Sequence, residues 1–145
     1  MNFKTLGFIG LGVMGEPMCA NLAATCADDE RMVAFDIDPA PLARLAASGV
    51  VAVNSMAVLA DAADLIFLSL PGGDELEAVC ADLLAHCRAG QVVVDTSTAP
   101  VALTRDLAAR FAAIGVGYAD APIARTRQAA RDGTLSIMVG ADDET

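Results

Sequence analysis

The segment GFIGLGVMGEPM, residues 7–18, decides the fold that this sequence predicts. Its glycines Gly10, Gly12 and Gly15 follow a short apolar run and precede a segment of helical period. Glycine spacing is a weak signal on its own, because it gains meaning only from the strand and the helix beside it. The strands and helices around the segment therefore decide whether it predicts a nucleotide site.

Apolar runs of strand length alternate with longer segments of helical period along the chain. The predicted strands cover 6–9, 32–36, 50–53, 64–70, 91–95, 116–120 and a last run at 135–140, and the predicted helices cover about 14–27, 39–48, 56–61, 74–87 and 100–113. The segment between the last two strands is predicted to be a loop rich in arginine and polar residues. This alternation predicts parallel strands joined by right-handed crossovers. We expect an α/β fold of Rossmann type, with a doubly wound, mostly parallel sheet in one domain over residues 1–145.

The first strand-to-helix turn of such a sheet is a site for a pyrophosphate. Gly10 permits the tight turn, Gly12 leaves no side chain between backbone and phosphate, and Gly15 lets the helix pack closely. Asp36 ends the second strand 21 positions after Gly15, where a carboxylate can accept the ribose hydroxyls and repel a 2′-phosphate. The pattern predicts a dinucleotide site with NAD preferred over NADP, although a surface aspartate at a strand end remains an alternative for Asp36. Asp38 is predicted to cap the next helix.

Composition excludes several classes of partner. The net charge of −10 over 145 residues argues against binding to nucleic acid or to an anionic membrane surface. No apolar run approaches the roughly 20 residues that span a bilayer, and no secretory leader pattern is present. The four cysteines and the single histidine lack metal-ligand spacing, so no metal site is predicted. We expect a cytoplasmic protein with reduced, packed cysteines.

Three segments together are more specific than the glycines alone. They are GFIGLGVMGEPMCANL at 7–22, DTSTAP at 95–100 and DAPIARTRQAARDGTLSIMVG at 120–140. With them the chain closely resembles the β-hydroxyacid dehydrogenase family, the group of 3-hydroxyisobutyrate dehydrogenase and tartronate semialdehyde reductase. The family is related to 6-phosphogluconate dehydrogenase, and the resemblance covers essentially the whole chain. Its most specific residues around the glycines are Met14, Pro17, Met18 and Asn21.

The resemblance implies a set of contacts near the carboxyl ends of the strands, where open sheets of this type place ligands. It places Thr98 near the nicotinamide ribose and Ser97 near the substrate, although Thr98 could instead cap the helix that follows. The cofactor-binding residues that it implies are Gly10, Leu11, Gly12, Val13, Met14, Gly15, Asp36, Leu70, Pro71, Glu75 and Thr98.

One departure from the family pattern affects the substrate. After DAP the family usually has a hydrophobic residue, a serine and two glycines, and here Ala124, Arg125 and Thr126 replace the small residues. Arg125 and Thr126 are therefore candidates for substrate binding, since an arginine can hold a carboxylate or phosphate with a bidentate pair. The alternative for Arg125 is an exposed charge on a solvated loop. The identity of the family's usual substrate therefore cannot be assigned to this chain.

The family's catalytic lysine lies in a GxGxxxKxxxN pattern on a helix that would follow Thr145. Lys4, at the start of the first strand, and His86, at the end of a helix, are both expected to lie far from the nicotinamide. No catalytic residue is predicted here, and we expect NAD binding without appreciable turnover by these residues alone.

The resemblance implies hydride transfer between NAD and a small 3-hydroxyacid in a longer enzyme, whose helical second domain closes the site and forms a homo-oligomer. The alternatives are a non-catalytic dinucleotide-binding module or degenerate paralogue, and an imine reductase, which Asp36 and the Ser97–Thr98 pair disfavour.

Overall fold

A six-stranded parallel sheet organises the chain in our computed structural model, which describes residues 3–142 and 145. The strand order is β3-β2-β1-β4-β5-β6, the doubly wound order of a Rossmann-type fold. A separate two-stranded antiparallel sheet joins β7 and β8. The predicted fold class is thus confirmed.

The elements of this fold have the following bounds. The strands are β1 (Thr5–Ile9), β2 (Arg31–Phe35), β3 (Val51–Ala52), β4 (Leu65–Leu68), β5 (Val92–Asp95), β6 (Gly117–Asp120), β7 (Ile123–Ala124) and β8 (Ser136–Ile137). The helices are α1 (Gly15–Ala23), α2 (Pro39–Leu45), α3 (Met56–Ala62), α4 (Gly73–His86), α5 (Val101–Ala112) and α6 (Arg127–Arg131), and a 3₁₀ turn at Ala46–Ser48 extends α2.

Two hydrophobic clusters cover the two faces of the sheet. Adjacent strand residues belong to different clusters, as Phe8 and Ile9 do, because successive side chains of a strand point to opposite faces. The Phe8 cluster packs against α1 and α2, with Met18 and Leu45 in contact. The Ile9 cluster includes residues of α3, α4 and α5, among them Leu76. Burial on both faces explains why the parallel strands read as near-continuous apolar runs.

The strand register brings the ends of the main strands to a common edge. Ile9 of β1 is paired with Phe35 of β2 and with Leu68 of β4, and Leu68 is paired with Asp95 of β5. Asp95 in turn is paired with Asp120, the last residue of β6. Five loops therefore leave the sheet side by side at its carboxyl edge, where ligands bind in folds of this type.

Three local predictions were wrong. Helix α1 ends at Ala23 rather than near residue 27, because Thr25 N–H and Cys26 N–H bond to carbonyls three residues back and close the helix with a tighter turn. The loop predicted between 120 and 135 contains β7 and α6. The run at 135–140 folds back instead of extending the sheet in parallel: Ser136–Ile137 pairs antiparallel with β7, and Gly140 bridges Asp120.

None of the helices in the described part of the chain combines the length and the apolar character needed to cross a membrane.

Candidate functional site

A cavity of about 530 Å³ opens at the carboxyl edge of the sheet, between the glycine loop, the end of β2, the loop after β4 and the start of α4. Its volume is within the range of small-molecule and cofactor sites. Nine of the predicted cofactor-binding residues line it, namely Gly10, Gly12, Val13, Met14, Gly15, Asp36, Leu70, Pro71 and Glu75.

The glycine loop is tight on its protein side and open on the cavity side. Gly10 has φ +92°, and a Cβ there would lie 2.2 Å from the carbonyl oxygen of Ser69. A Cβ on Gly15 would lie 1.9 Å from the carbonyl oxygen of Gly10, so both positions require glycine. A Cβ on Gly12 would meet nothing within 4 Å. The backbone at Gly12 is therefore open to the close approach of a ligand.

Asp36 joins the glycine loop to the end of β2. One carboxylate oxygen accepts a hydrogen bond from Leu11 N–H, and the other accepts from Asp38 N–H at 2.8 Å. Asp38 in turn accepts from Ala40 N–H at 2.9 Å and caps α2, as predicted. A carboxylate oxygen can accept more than one hydrogen bond, so Asp36 keeps acceptor capacity for hydroxyl groups while it holds the loop.

Leu11 and Thr98 do not line the cavity. The Leu11 side chain is 3% exposed and packs in the core, so its backbone N–H is the part that contacts Asp36. Thr98 is exposed beyond the end of β5. Helix α5 begins at Val101 with Pro100 as its N-cap and has no side-chain cap hydrogen bond, so Thr98 does not cap it.

The cavity also has an apolar wall that the sequence analysis missed. Ile37 is 95% exposed directly after Asp36, and Phe35, Met56 and Val79 line the same cavity. An exposed isoleucine between two aspartates was the available signal. This wall could pack against a flat apolar ring such as a purine, with Asp36 beside it to accept hydroxyl groups.

A buried hydrogen-bond chain ties the loop after β4 to the loop after β5. Ser97 is 4% exposed, and its hydroxyl oxygen accepts from Leu70 N–H at 3.0 Å. The Ser97 N–H donates to Asp95 at 2.9 Å, and the other oxygen of this fully buried carboxylate accepts from the Tyr118 hydroxyl at 2.9 Å. Burial, with the nearby Asp95 charge, raises the pKa of Tyr118, so its hydroxyl stays protonated. Neither Asp95 nor Tyr118 was predicted as a site residue, because a lone buried acid and a lone tyrosine carry no motif in the sequence.

The two remaining candidates lie in the loop between β7 and α6. Thr126 is the N-cap of α6, where its hydroxyl accepts from Ala129 N–H at 3.3 Å. Arg125 is exposed and has φ +98°, and it is the one non-glycine residue with positive φ in the described part of the chain. Neither residue lines the cavity. Their contact with a substrate stays a prediction.

Asn21, one of the most specific residues of the first segment, has a structural role. Its side-chain amide donates to the carbonyl oxygen of Ala130 at 2.7 Å and contacts that of Arg131 at 3.4 Å. Asn21 thereby holds the end of α6 against α1.

Lys4 and His86 lie away from the cavity. Lys4 precedes β1, at the end of that strand opposite to the glycine loop, and its ammonium forms an ion pair with Asp29 that raises the pKa of Lys4. His86 is the last residue of α4, 3.3 Å from Asp82. The helix separates it from the start of α4 by about 20 Å. Neither side chain can exchange a proton with a ligand in the cavity.

Comparison with known proteins gives a match over nearly the whole chain. The family model described as "NAD binding domain of 6-phosphogluconate dehydrogenase" matches residues 5–145. The 2-(hydroxymethyl)glutarate dehydrogenase of Eubacterium barkeri is 39% identical over 141 residues, which cover 95% of this chain and 46% of that protein.

Solved structures agree with the fold. Mycobacterium tuberculosis 3-hydroxyisobutyrate dehydrogenase with L-serine superposes with a TM-score of 0.90 and 32% identity, over 99% of this chain and 48% of that one. Psf3 in complex with NADP+ and 2-OPP has a TM-score of 0.88 and 29% identity, over 96% of this chain and 49% of that one. The chain spans about half the length of the relatives that it matches.

Proposed function

The chain belongs to the family of the NAD binding domain of 6-phosphogluconate dehydrogenase, and we propose that it is the cofactor-binding part of an NAD-dependent 3-hydroxyacid dehydrogenase. The observation that carries the proposal is the cavity at the carboxyl edge of the sheet, which collects the glycine loop, Asp36 and the loop after β4. Relatives whose names are those of hydroxyacid dehydrogenases support the reaction class.

The residues of the cavity fit a dinucleotide. The open backbone at Gly12 and the positive end of the α1 dipole suit a pyrophosphate. Asp36 would accept the hydroxyls of the adenosine ribose, and Ile37 would pack against the adenine. The nicotinamide of the bound cofactor supplies the hydride chemistry. The Ser97–Asp95–Tyr118 chain would hold the loops after β4 and β5 in place. Thr98 would then lie at the nicotinamide end.

The charge of the cavity supports NAD rather than NADP. Of its described lining residues, Asp36 and Glu75 are acidic and none is basic. A 2′-phosphate beside these carboxylates would be repelled and would lack a cationic partner. The Psf3 structure contains NADP+, so the proposed preference rests on this chain's own residues alone.

The test is to titrate the chain with NADH and with NADPH and to compare the two dissociation constants. We expect NADH to bind at least about tenfold more tightly. Asp36→Ala should reduce this ratio, whereas Asp38→Ala, which removes only the α2 cap, should leave it near the wild-type value. A variant that disturbs the glycine loop weakens the binding of both cofactors, and this common effect cancels in the ratio of the two dissociation constants. Equal affinities for the two cofactors would overturn the proposed preference.

A further inference from the structure

A second cavity, of about 550 Å³, lies on the outer side of α1, between this helix, α2 and α6. We call it the arginine cleft, because Arg44, Arg127 and Arg131 line it together with Glu16 and Ser48. The chain as a whole carries 19 acidic and nine basic residues, so three arginines in one cleft are a strong local departure from its charge balance.

The one carboxylate that lines the cleft is already paired. Glu16 accepts two hydrogen bonds from the Arg44 guanidinium, at 2.7 and 2.8 Å. This pairing lowers the pKa of Glu16 and keeps it ionised. Arg44 is therefore neutralised within the fold. The charge of the cleft then comes from Arg127 and Arg131.

Arg127 and Arg131 have no ion-pair partner within the described part of the chain. They lie four residues apart on α6, about one helical turn, and both are exposed. Like charges at this spacing repel each other, and an anion bound between them removes the repulsion. The two guanidinium groups and the Ser48 hydroxyl, which line the same cleft, provide donors for several oxygens of one tetrahedral anion.

We propose that the arginine cleft binds a small ligand that carries a phosphate or diphosphate group, at a site separate from the cofactor cavity. Phosphate fits better than a planar carboxylate, because its oxygens can bond to both arginines and to Ser48 at once. The concave shape between three helices and the volume of about 550 Å³ suit a small molecule.

The cleft adjoins the cofactor cavity through Val13, which lines both. An anion in the cleft would therefore lie near the glycine loop, where the cofactor pyrophosphate is proposed to bind. Repulsion between the two anions would make each ligand weaken the binding of the other, and linkage requires the two effects to be equal. This coupling rests on the proposed function, whereas anion binding in the cleft does not.

The experiment is a calorimetric titration of the chain with inorganic pyrophosphate in the presence of saturating NADH, which occupies the glycine loop. We expect one pyrophosphate per chain. The double substitution Arg127→Ala and Arg131→Ala should weaken binding by at least about tenfold. Arg105→Ala removes an arginine from α5, outside the cleft, and should leave the affinity unchanged. Absence of pyrophosphate binding, or equal affinity in the double variant, would overturn the proposal.

A second variant moves the affinity in the opposite direction. Glu16→Gln removes the carboxylate that neutralises Arg44, so pyrophosphate should bind several-fold more tightly, and unchanged or weaker binding would count against the site.

Citrate serves as a polycarboxylate probe, and binding of citrate without pyrophosphate would overturn the phosphate assignment. If NADH fails to bind, the proposed function fails, but the comparison of wild type with the double variant still tests the cleft, since the glycine loop is identical in both.

Discussion

Asp36 accepts backbone N–H groups of Leu11 and Asp38, and the same carboxylate lines the cofactor cavity. The position of Asp36 could be predicted, because this residue ends the second strand 21 positions after Gly15. Ile37 could not be predicted in the same way, since one apolar residue in a loop has no periodic partner. The tertiary fold gives both residues their place beside the glycine loop.

Arg125 has a backbone conformation that costs energy for any residue with a Cβ. At φ +98° a glycine would avoid this cost, so Arg125→Gly should raise the free energy of unfolding by about 1 kcal/mol. The measurement is urea denaturation of the two proteins.

A glycine at a neighbouring position provides the control. Arg127→Gly places the residue in α6, where it should lower stability by up to about 1 kcal/mol. If Arg125→Gly lowers the free energy of unfolding as much as Arg127→Gly does, the positive φ at Arg125 carries no energetic cost in the folded protein. A stabilised Arg125→Gly variant would show that the fold itself does not require this arginine, which agrees with its predicted contact with a substrate.

At the scale of elements, the loops after β4 and β5 depend on Ser97. Ser97→Ala leaves the Leu70 N–H without its acceptor, so it should lower the free energy of unfolding by about 1–2 kcal/mol and weaken NADH binding through the displaced Leu70–Pro71 wall. Thr98→Ala alters the adjacent exposed residue and should leave stability unchanged. Denaturation and NADH titration of both variants make the comparison. Equal stability of the Ser97 and Thr98 variants would remove the proposed link between the two loops.

The elements that the sequence predicted well are those with a long or strongly apolar pattern. The strands β4 and β5 are buried on both faces, so their apolar runs are distinctive. Helix α6 has five residues, too few for a helical period, and it depends on the Thr126 cap and on Asn21 from α1. The apolar run at 135–140 predicted extended structure, but its antiparallel partner in β7 is set by the tertiary fold.

On the scale of the whole molecule, the described lining of the cofactor cavity includes no lysine or histidine that could exchange a proton with a substrate. Oxidation of a hydroxyl group requires such a group near the reacting carbon. We therefore expect the 145-residue chain to bind NADH without measurable oxidation of any of a panel of small 3-hydroxyacids in the presence of NAD. A chain that also carries a second half like that of the relatives, of which this chain covers about half, should show turnover.

The same assay distinguishes a dehydrogenase from a non-catalytic dinucleotide-binding module. Turnover by the longer chain and none by the shorter one supports the dehydrogenase. Binding of NADH without turnover by either would instead favour a non-catalytic dinucleotide-binding module. Robust oxidation by the 145-residue chain would contradict the expectation that the proton-transfer group lies outside it.

The site as a whole was predictable where it follows from the order of the elements, since the glycine loop, Asp36 and the loop after β4 meet at one edge of any sheet with this strand order. The Asp95–Tyr118 hydrogen bond was not predictable, because its partners are 23 residues apart and only the pairing of β5 with β6 brings them together. The arginine cleft likewise depends on the packing of α6 beside α1 and α2.

The central claim, that a dinucleotide lies against the glycine loop, is tested most directly by NADH titration of wild type and Gly12→Val. A Cβ at residue 12 would meet nothing within 4 Å apart from its chain neighbours, so the fold should persist with nearly the same unfolding midpoint. The valine side chain would occupy the space where the pyrophosphate approaches, so NADH should bind at least about tenfold more weakly. Unchanged NADH affinity in a folded Gly12→Val protein would contradict the placement of the dinucleotide against the glycine loop.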